Sequence, residues 1–330
     1  MIETLFAHLW VVIGFLVVGM VCLVKGADWM IDGASAMAKR FGISDLVIGL
    51  TVLAFGTSAP EFVVNMVSVA DGATELAITN ALGSNIINVY VVLGITALCY
   101  PVISKKRLRD FDIPMSLIAG VVLLLAMHIP SFLKDDPDGG IGRLGGILLL
   151  CMFCYYIFNT ARNAKDHEAE ESEQVEIHAM SLGKAIFLLI FGMAVLVIGA
   201  EMTVKSAVNL ATRMGISEGV IGLTVIALGT SLPELATSVI AALKHNSDIA
   251  LGNVFGSNIF NIVIVLGTSA VIRPLPPYSG LMLDVWMVIA GSALVWLILK
   301  TNRERKVPRW GGAFLLVVYA AYLTYRLMAL

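Results

Sequence analysis

Charge is what this chain of 330 residues has least of. Only 14% of its positions are Asp, Glu, Lys or Arg, against about 25% in a soluble domain. The net charge of −2 supplies no basic excess with which to hold nucleic acid or an anionic membrane surface. Histidine is scarce, at five residues, and cysteine scarcer still, at four. All four (Cys22, Cys99, Cys151 and Cys154) lie in apolar runs. Cys151 and Cys154 have redox or metal spacing, but they sit in an unbroken apolar segment with no histidine nearby and read as buried helix residues. A cleavable leader is also missing: residues 5–24 run into Lys25 without a small-residue cleavage site. What the chain does have is apolar sequence, 58% of it, with a mean hydropathy of +0.89. Apolar runs of about 20 residues recur from end to end, the pattern of an all-α polytopic membrane protein.

Turns and breakers divide these runs into ten predicted transmembrane helices. The first five cover about residues 5–38, 43–70, 75–100, 113–129 and 141–158. The second five cover about residues 184–212, 216–243, 248–272, 281–299 and 310–327. Residues 1–130, completed by the fifth helix at 141–158, form one repeat and residues 182–330 a second. Between them, residues 161–181 are a hydrophilic linker whose acidic run, Asp166-His167-Glu168-Ala169-Glu170-Glu171, reads as a solvated connection.

The two repeats share one stretch almost letter for letter. Residues 42–61 align without a gap to residues 215–234, and fifteen of the twenty positions are identical. Each copy ends in an interruption, Gly56-Thr57-Ser58-Ala59-Pro60-Glu61 and Gly229-Thr230-Ser231-Leu232-Pro233-Glu234. A carboxylate in the middle of a membrane helix costs about 3 kcal/mol, and an interior proline about as much again. Carrying both twice, in the same order, is not explained by packing. The same spacing of 173 residues pairs Asp28 with Glu201, Asn80 with Asn253, Ser84 with Ser257, Asn85 with Asn258 and Asn88 with Asn261. This is a duplication.

Each copy holds five spans, an odd number, so the second enters the membrane from the opposite side to the first. The architecture predicted is therefore two inverted-topology five-helix repeats, with a site at the midplane on interrupted helices. Fifteen Lys and Arg fall in the loops of one side and five in those of the other. The positive-inside rule then places both termini outside.

The interruptions supply hard-cation chemistry. Pro60 and Pro233 offer no amide hydrogen to the preceding turn, around Ala54–Thr57 and Ala227–Thr230, and carbonyls freed at membrane depth must line a cavity or bind something. Thr57, Ser58, Thr230 and Ser231 add hydroxyl oxygens, Asn88 and Asn261 amide oxygens, and Glu61 and Glu234 charge. Two carboxylates balance one Ca²⁺, which takes six to eight oxygens in forgiving geometry. Neither motif contains His or Cys, which argues against zinc or copper. Ser84, Asn85 and their mates Ser257 and Asn258 read as further lining. The glycines beside them read equally well as helix-contact residues. Lys25 with Asp28, and Glu201 with Lys205, read as local ion pairs.

With its paired Gly-Thr-Ser-x-Pro-Glu and Gly-Ser-Asn-Ile-x-Asn signatures, the chain resembles the cation/calcium exchanger superfamily, in particular its prokaryotic sodium/calcium exchanger branch, over nearly its whole length. The resemblance implies that Glu61 and Glu234 are the central ligands and that Thr57 and Thr230 give carbonyls to Ca²⁺. It implies that Ala54, Ala227, Ser58, Ser231, Ser84 and Ser257 line flanking Na⁺ sites, that Asn88 and Asn261 complete the centre, and that the long first and sixth helices slide across the other eight. Members of the family often carry Asp where this chain has Asn261. The cation/proton branch usually has Glu in its third- and eighth-helix motifs, where this chain has Ala81-Leu82-Gly83-Ser84 and Val254-Phe255-Gly256-Ser257.

The resulting expectation is a secondary transporter rather than an enzyme. It exchanges Na⁺ for Ca²⁺ by alternating access in a bacterial or archaeal cytoplasmic membrane. Its substrates are the two ions, its surroundings the bilayer, and it needs no cofactor and no obligate protein partner. Alternatives are the same fold coupled to another cation or to H⁺, a passive cation channel, and an intramembrane hydrolase using the two glutamates as paired acids.

Overall fold

A computed structural model describes residues 9–128, 139–163, 180–215 and 227–328. The acidic run at 166–171, most of the loop at 130–140 and the first part of the seventh predicted span, residues 216–226, lie outside the described residues.

The described chain is helical apart from two short strands. Helix α1 covers Leu9–Phe41. The bent pair α2 (Asp45–Thr57) and α3 (Ala59–Ala70) follows, then α4 (Thr74–Cys99), α5 (Ile113–Ala126) and α6 (Arg143–Asn163). In the second half α7 covers Leu182–Arg213, α8 Ala227–Thr230, α9 Leu232–Leu243, α10 Ser247–Ile272, α11 Leu281–Thr301 and α12 Arg309–Met328. Seven of the described helices are long and apolar enough to cross a membrane, eight if the bent pair is one span. Of the two remaining predicted spans, α5 has 14 residues after a π-helical turn at Leu108–Asp112, and the seventh is described only from Ala227.

The duplication seen in the letters returns in the element boundaries. Ala59 and Leu232, Thr74 and Ser247, and Cys99 and Ile272 begin or end matching helices, each pair 173 residues apart. Even a local irregularity is copied: a π-helical turn starts at Asn88 in α4 and at Asn261 in α10.

The inversion can be read from contacts. A Cβ added to Gly19 would lie 2.6 Å from Thr203 Oγ1, one on Gly26 2.5 Å from Leu196 N, and one on Gly33 2.6 Å from Ala185 O. Ascending α1 therefore means descending α7, and these matching helices run antiparallel along most of their length. Glycine is required here because backbone meets backbone. Between lipid-exposed helices close van der Waals packing has to do what the hydrophobic effect does in water. Both helices are longer than the hydrocarbon core demands: the 33 residues of α1 span about 50 Å at 1.5 Å per residue, against about 30 Å.

The interior belongs to α10 and α4, with 94% and 78% of their most apolar windows buried, against 22% for α1. They meet through a reciprocal clasp. Asn85 Nδ2 donates to the Asn258 carbonyl at 3.3 Å, and Asn258 Nδ2 donates to the Asn85 carbonyl at 3.4 Å. At the periphery β1 (Val102–Ile103) pairs antiparallel with β2 (Lys306–Val307), Val102 opposite Val307. Its counterpart is an isolated bridge between Ile141 and Leu275, Leu275 being the duplicate of Val102.

Candidate functional site

The interruption between α2 and α3 bends the chain by 45°. It falls at Ser58, whose φ of −87° and ψ of 3° leave the helical region. Pro60 sits in the first turn of α3, where its missing N–H is one that a helix start leaves unbonded anyway. Proline therefore starts a new half-helix here rather than distorting an old one. The second interruption is nearly superimposable, with Ser231 at φ −91° and ψ 6° and Pro233 in the first turn of α9. The Ala54 carbonyl is not left bare, since it accepts from Ser58 N at 3.0 Å.

Each motif glutamate lands in the first turn of its half-helix, where the helix dipole favours negative charge. Both are fully buried and close enough to act electrostatically on one another. Thr57, Ser58, Asn88, Ser257 and Asn261 are fully buried, and Ser84 and Ser231 are 2% and 1% exposed; the turn that starts at Asn88 packs against α9 and the one that starts at Asn261 against α3. Thr230 is half-buried. Of Ala227 only the backbone, at the start of α8, is described.

The bonding is uneven. Glu234 Oε1 accepts from Ser58 Oγ at 3.0 Å, and Ser257 lies beside the same carboxylate without reaching hydrogen-bond distance. Thr57 Oγ1 donates to Asn253 Oδ1 at 3.1 Å, and Asn253 Nδ2 donates to Ser238 Oγ at 3.1 Å and to the Glu234 carbonyl at 3.3 Å. Around Glu61 neither carboxylate oxygen has a hydrogen-bond partner, nor does Ser231 Oγ. Both side-chain atoms of Asn88 and of Asn261, and the hydroxyls of Ser84 and Ser257, are likewise buried and unpaired. Buried polar groups normally find partners, and these unpaired oxygens mark the region as the candidate ion site. Among the described residues no group of three or more His, Cys, Asp or Glu is placed to hold a metal. A cation held here would draw on amide and hydroxyl oxygens beside the two carboxylates.

The structure brings the sequence-derived site residues of the two motifs together with those of α4 and α10. It also adds Asn253, Ser238 and Asn65, the last accepting from Asn80 Nδ2 at 3.0 Å. Asn65 and Ser238 were detectable in principle: each lies four residues after its motif glutamate and so one turn along the same face. Asn85 and Asn258 divide their roles, each spending its Nδ2 on the clasp and keeping Oδ1 unpaired.

Beside the site, a cavity of about 330 Å³ opens between α7 and the two interruptions, lined by Thr230, Pro60, Val204, Glu201 and Lys205 among others. The expected local ion pairs form, Lys25 to Asp28 at 4.0 Å and Lys205 to Glu201 at 2.6 Å. Sequence reasoning missed Lys244, at the end of α9, which bridges Asp28 and Asp32 of α1 at 2.6 Å each.

Comparison with known proteins gives the family and the fold. A family model described as sodium/calcium exchanger protein matches residues 11–161 and 184–328. The sodium/calcium exchanger MaX1 of Methanosarcina acetivorans is 34% identical, with 93% of this chain and 96% of MaX1 covered. The inner membrane protein YrbG of Escherichia coli (strain K12) is 38% identical over 78% of this chain and 79% of its own length. A solved structure of the sodium-calcium exchanger NCX_Mj, soaked with Na⁺ and Sr²⁺, superposes with a TM-score of 0.80 at 31% identity, covering 96% of this chain and 99% of NCX_Mj.

Proposed function

Because the chain belongs to the sodium/calcium exchanger family, we infer that it is a secondary antiporter that exchanges Na⁺ for Ca²⁺ across the membrane at the site between its two interrupted helices. The observation that carries the reading is the pair of buried carboxylates, each starting a half-helix and surrounded by unpaired oxygens. Ca²⁺ takes Glu61 and Glu234 together, with carbonyls of Thr57 and Thr230 and the amide oxygens of Asn88 and Asn261. Na⁺ competes for the same carboxylates and uses the oxygens near Ala54, Ala227, Ser58, Ser231, Ser84 and Ser257. With Asn at both 88 and 261, two acids carry the whole negative charge of the site.

Access alternates as α1 and α7 shift together against the remaining helices, their glycine-lined contact moving as one unit. The functional halves are residues 1–130 with the helix at 141–158, and residues 182–330, joined by the linker at 161–181. The excess of basic residues on one side supports an orientation in the bacterial or archaeal cytoplasmic membrane with both termini outside. In that orientation the cavity beside Thr230 faces out and Lys244 lies on the cytoplasmic side. Net charge moved per cycle would draw about 2.3 kcal/mol per elementary charge per 100 mV.

The test is radioactive Ca²⁺ flux in proteoliposomes under imposed Na⁺, K⁺ and proton gradients. Saturable uptake driven only by Na⁺ on the opposite side is expected. Uptake driven by a proton gradient alone would replace the coupling ion, and flux that needs no counter-ion would make the protein a channel.

A further inference from the structure

The two ends of the site are not in the same state, and the difference follows an ion pair that the duplication repeats with its charges exchanged. On one side Lys244, at the end of α9, holds Asp28 and Asp32 of α1 at 2.6 Å each. Shifting these positions by the repeat spacing exchanges Lys244 for Asp71, Asp32 for Lys205 and Asp28 for Glu201. The mirrored contact of Lys244 with Asp32 is therefore Asp71 with Lys205, again an acid facing a base but with the signs swapped between the helices. In this structure that second pair is open. Lys205 is turned along α7 to Glu201 at 2.6 Å, and Asp71 is exposed and makes no ion pair among the described residues.

Burial follows the pair. Where it is closed, Ala27, Ile31, Thr57 and Thr237 are 2% exposed or less. Their duplicates Ala200, Val204, Thr230 and Val64 line the 330 Å³ cavity, and Val64 is 39% exposed. At these positions the side with its pair made is the more covered, although Val24 there is 48% exposed and an apolar cavity of about 370 Å³ reaches Ala54; the side with its pair parked has the cavity that reaches Thr230.

We propose that Lys244–Asp32 and Asp71–Lys205 are alternate latches between the two long helices and the half-helices, one closed in each access state, so that Lys244 and Asp71 set which face of the membrane the ion site meets. The proposal rests on the alternating-access reading above. The sign is exchanged at Asp32 and Lys205 but kept at Asp28 and Glu201, so Glu201 competes with Asp71 for Lys205 and holds it while that latch is open.

The test separates the latch from the transport reading. Val204, on the cavity wall, is replaced by Cys in the full-length protein in proteoliposomes. Its modification by a membrane-impermeant maleimide from the cavity side is timed against the background set by the four native cysteines. Losing a half-exposed ion pair shifts a two-state population by about two- to five-fold. Lys244→Gln is therefore expected to slow labelling by that factor. Asp71→Asn, at an exposed turn, is expected to speed it, and adding Asp71→Asn to Lys244→Gln returns the rate towards that of the parent. Exchanging the charges, Asp32→Lys with Lys244→Asp, also restores it. Unchanged labelling in Lys244→Gln, a further slowing on adding Asp71→Asn, or failure of the charge exchange to rescue would overturn the proposal. Na⁺-driven Ca²⁺ flux of the unmodified chain, measured in the same vesicles, tests the exchange reading independently.

Discussion

The half-site around Glu234 and the half-site around Glu61 are built from nearly the same letters, yet they are bonded differently. Glu234 accepts from Ser58 across the repeat boundary, and Thr57 and Asn253 continue the chain of hydrogen bonds. The matching groups at Glu61 and Ser231 stay unpaired. Local conformation does not separate them, since the breaks at Ser58 and Ser231 agree to within a few degrees in φ and ψ. Two copies of one motif therefore do not make two equal sites. They make one site whose halves, in this structure, are bonded unequally.

The largest expected effect tests whether both halves are needed. Glu61→Gln and Glu234→Gln should each reduce Na⁺-driven Ca²⁺ uptake in vesicles to background, because either leaves a single carboxylate for a divalent ion. Near-normal flux in one of them would mean that the other half suffices. A second experiment asks where the symmetry is strict. Gly26 and Gly199 are duplicates, and an added Cβ would lie 2.5 Å from Leu196 N and 2.7 Å from Leu23 N respectively. Gly26→Ala and Gly199→Ala should cost alike, about 1–3 kcal/mol each, read as matching losses of thermal stability. An effect confined to one would show that this contact, too, is asymmetric. Ser58→Ala and Ser231→Ala should differ instead. The first removes a hydrogen bond to a buried carboxylate, worth about 1.5–3 kcal/mol if that group is charged, and the second removes none. Equal shifts in denaturation in Na⁺- and Ca²⁺-free buffer would erase the distinction drawn here. The mildest change is Asn261→Asp, which adds a third acid and should strengthen Ca²⁺ binding several-fold by titration. An unaltered titration would place Asn261 at the edge of the site.

Much of this was legible in the letters. A helix broken at Gly-Thr-Ser-x-Pro-Glu could be placed because proline and a membrane carboxylate are costly. The repeat spacing predicted the coincident boundaries of α4 and α10. The inversion followed from an odd number of spans and appears in the antiparallel run of Gly19, Gly26 and Gly33 against α7. What stayed hidden depends on conformation or distance. Lys25 and Asp28 showed their pairing because they are neighbours on one helix, whereas Lys244 reaches Asp28 and Asp32 across more than 200 residues of chain. Asn253 looked like a repeat mate of Asn80, and its bond to Ser238 does have a counterpart from Asn80 to Asn65, but nothing in the letters shows that Asn253 also accepts from Thr57. No duplicated sequence can announce which copy of itself is engaged.

The clasp between Asn85 and Asn258 has a property that the other site contacts lack. It joins a residue to its own duplicate through the same two atoms in each direction, so exchanging the roles of the halves maps it onto itself. A contact of that kind is a fixed point. The crossing of α4 and α10 is thus the place where the two repeats meet on equal terms.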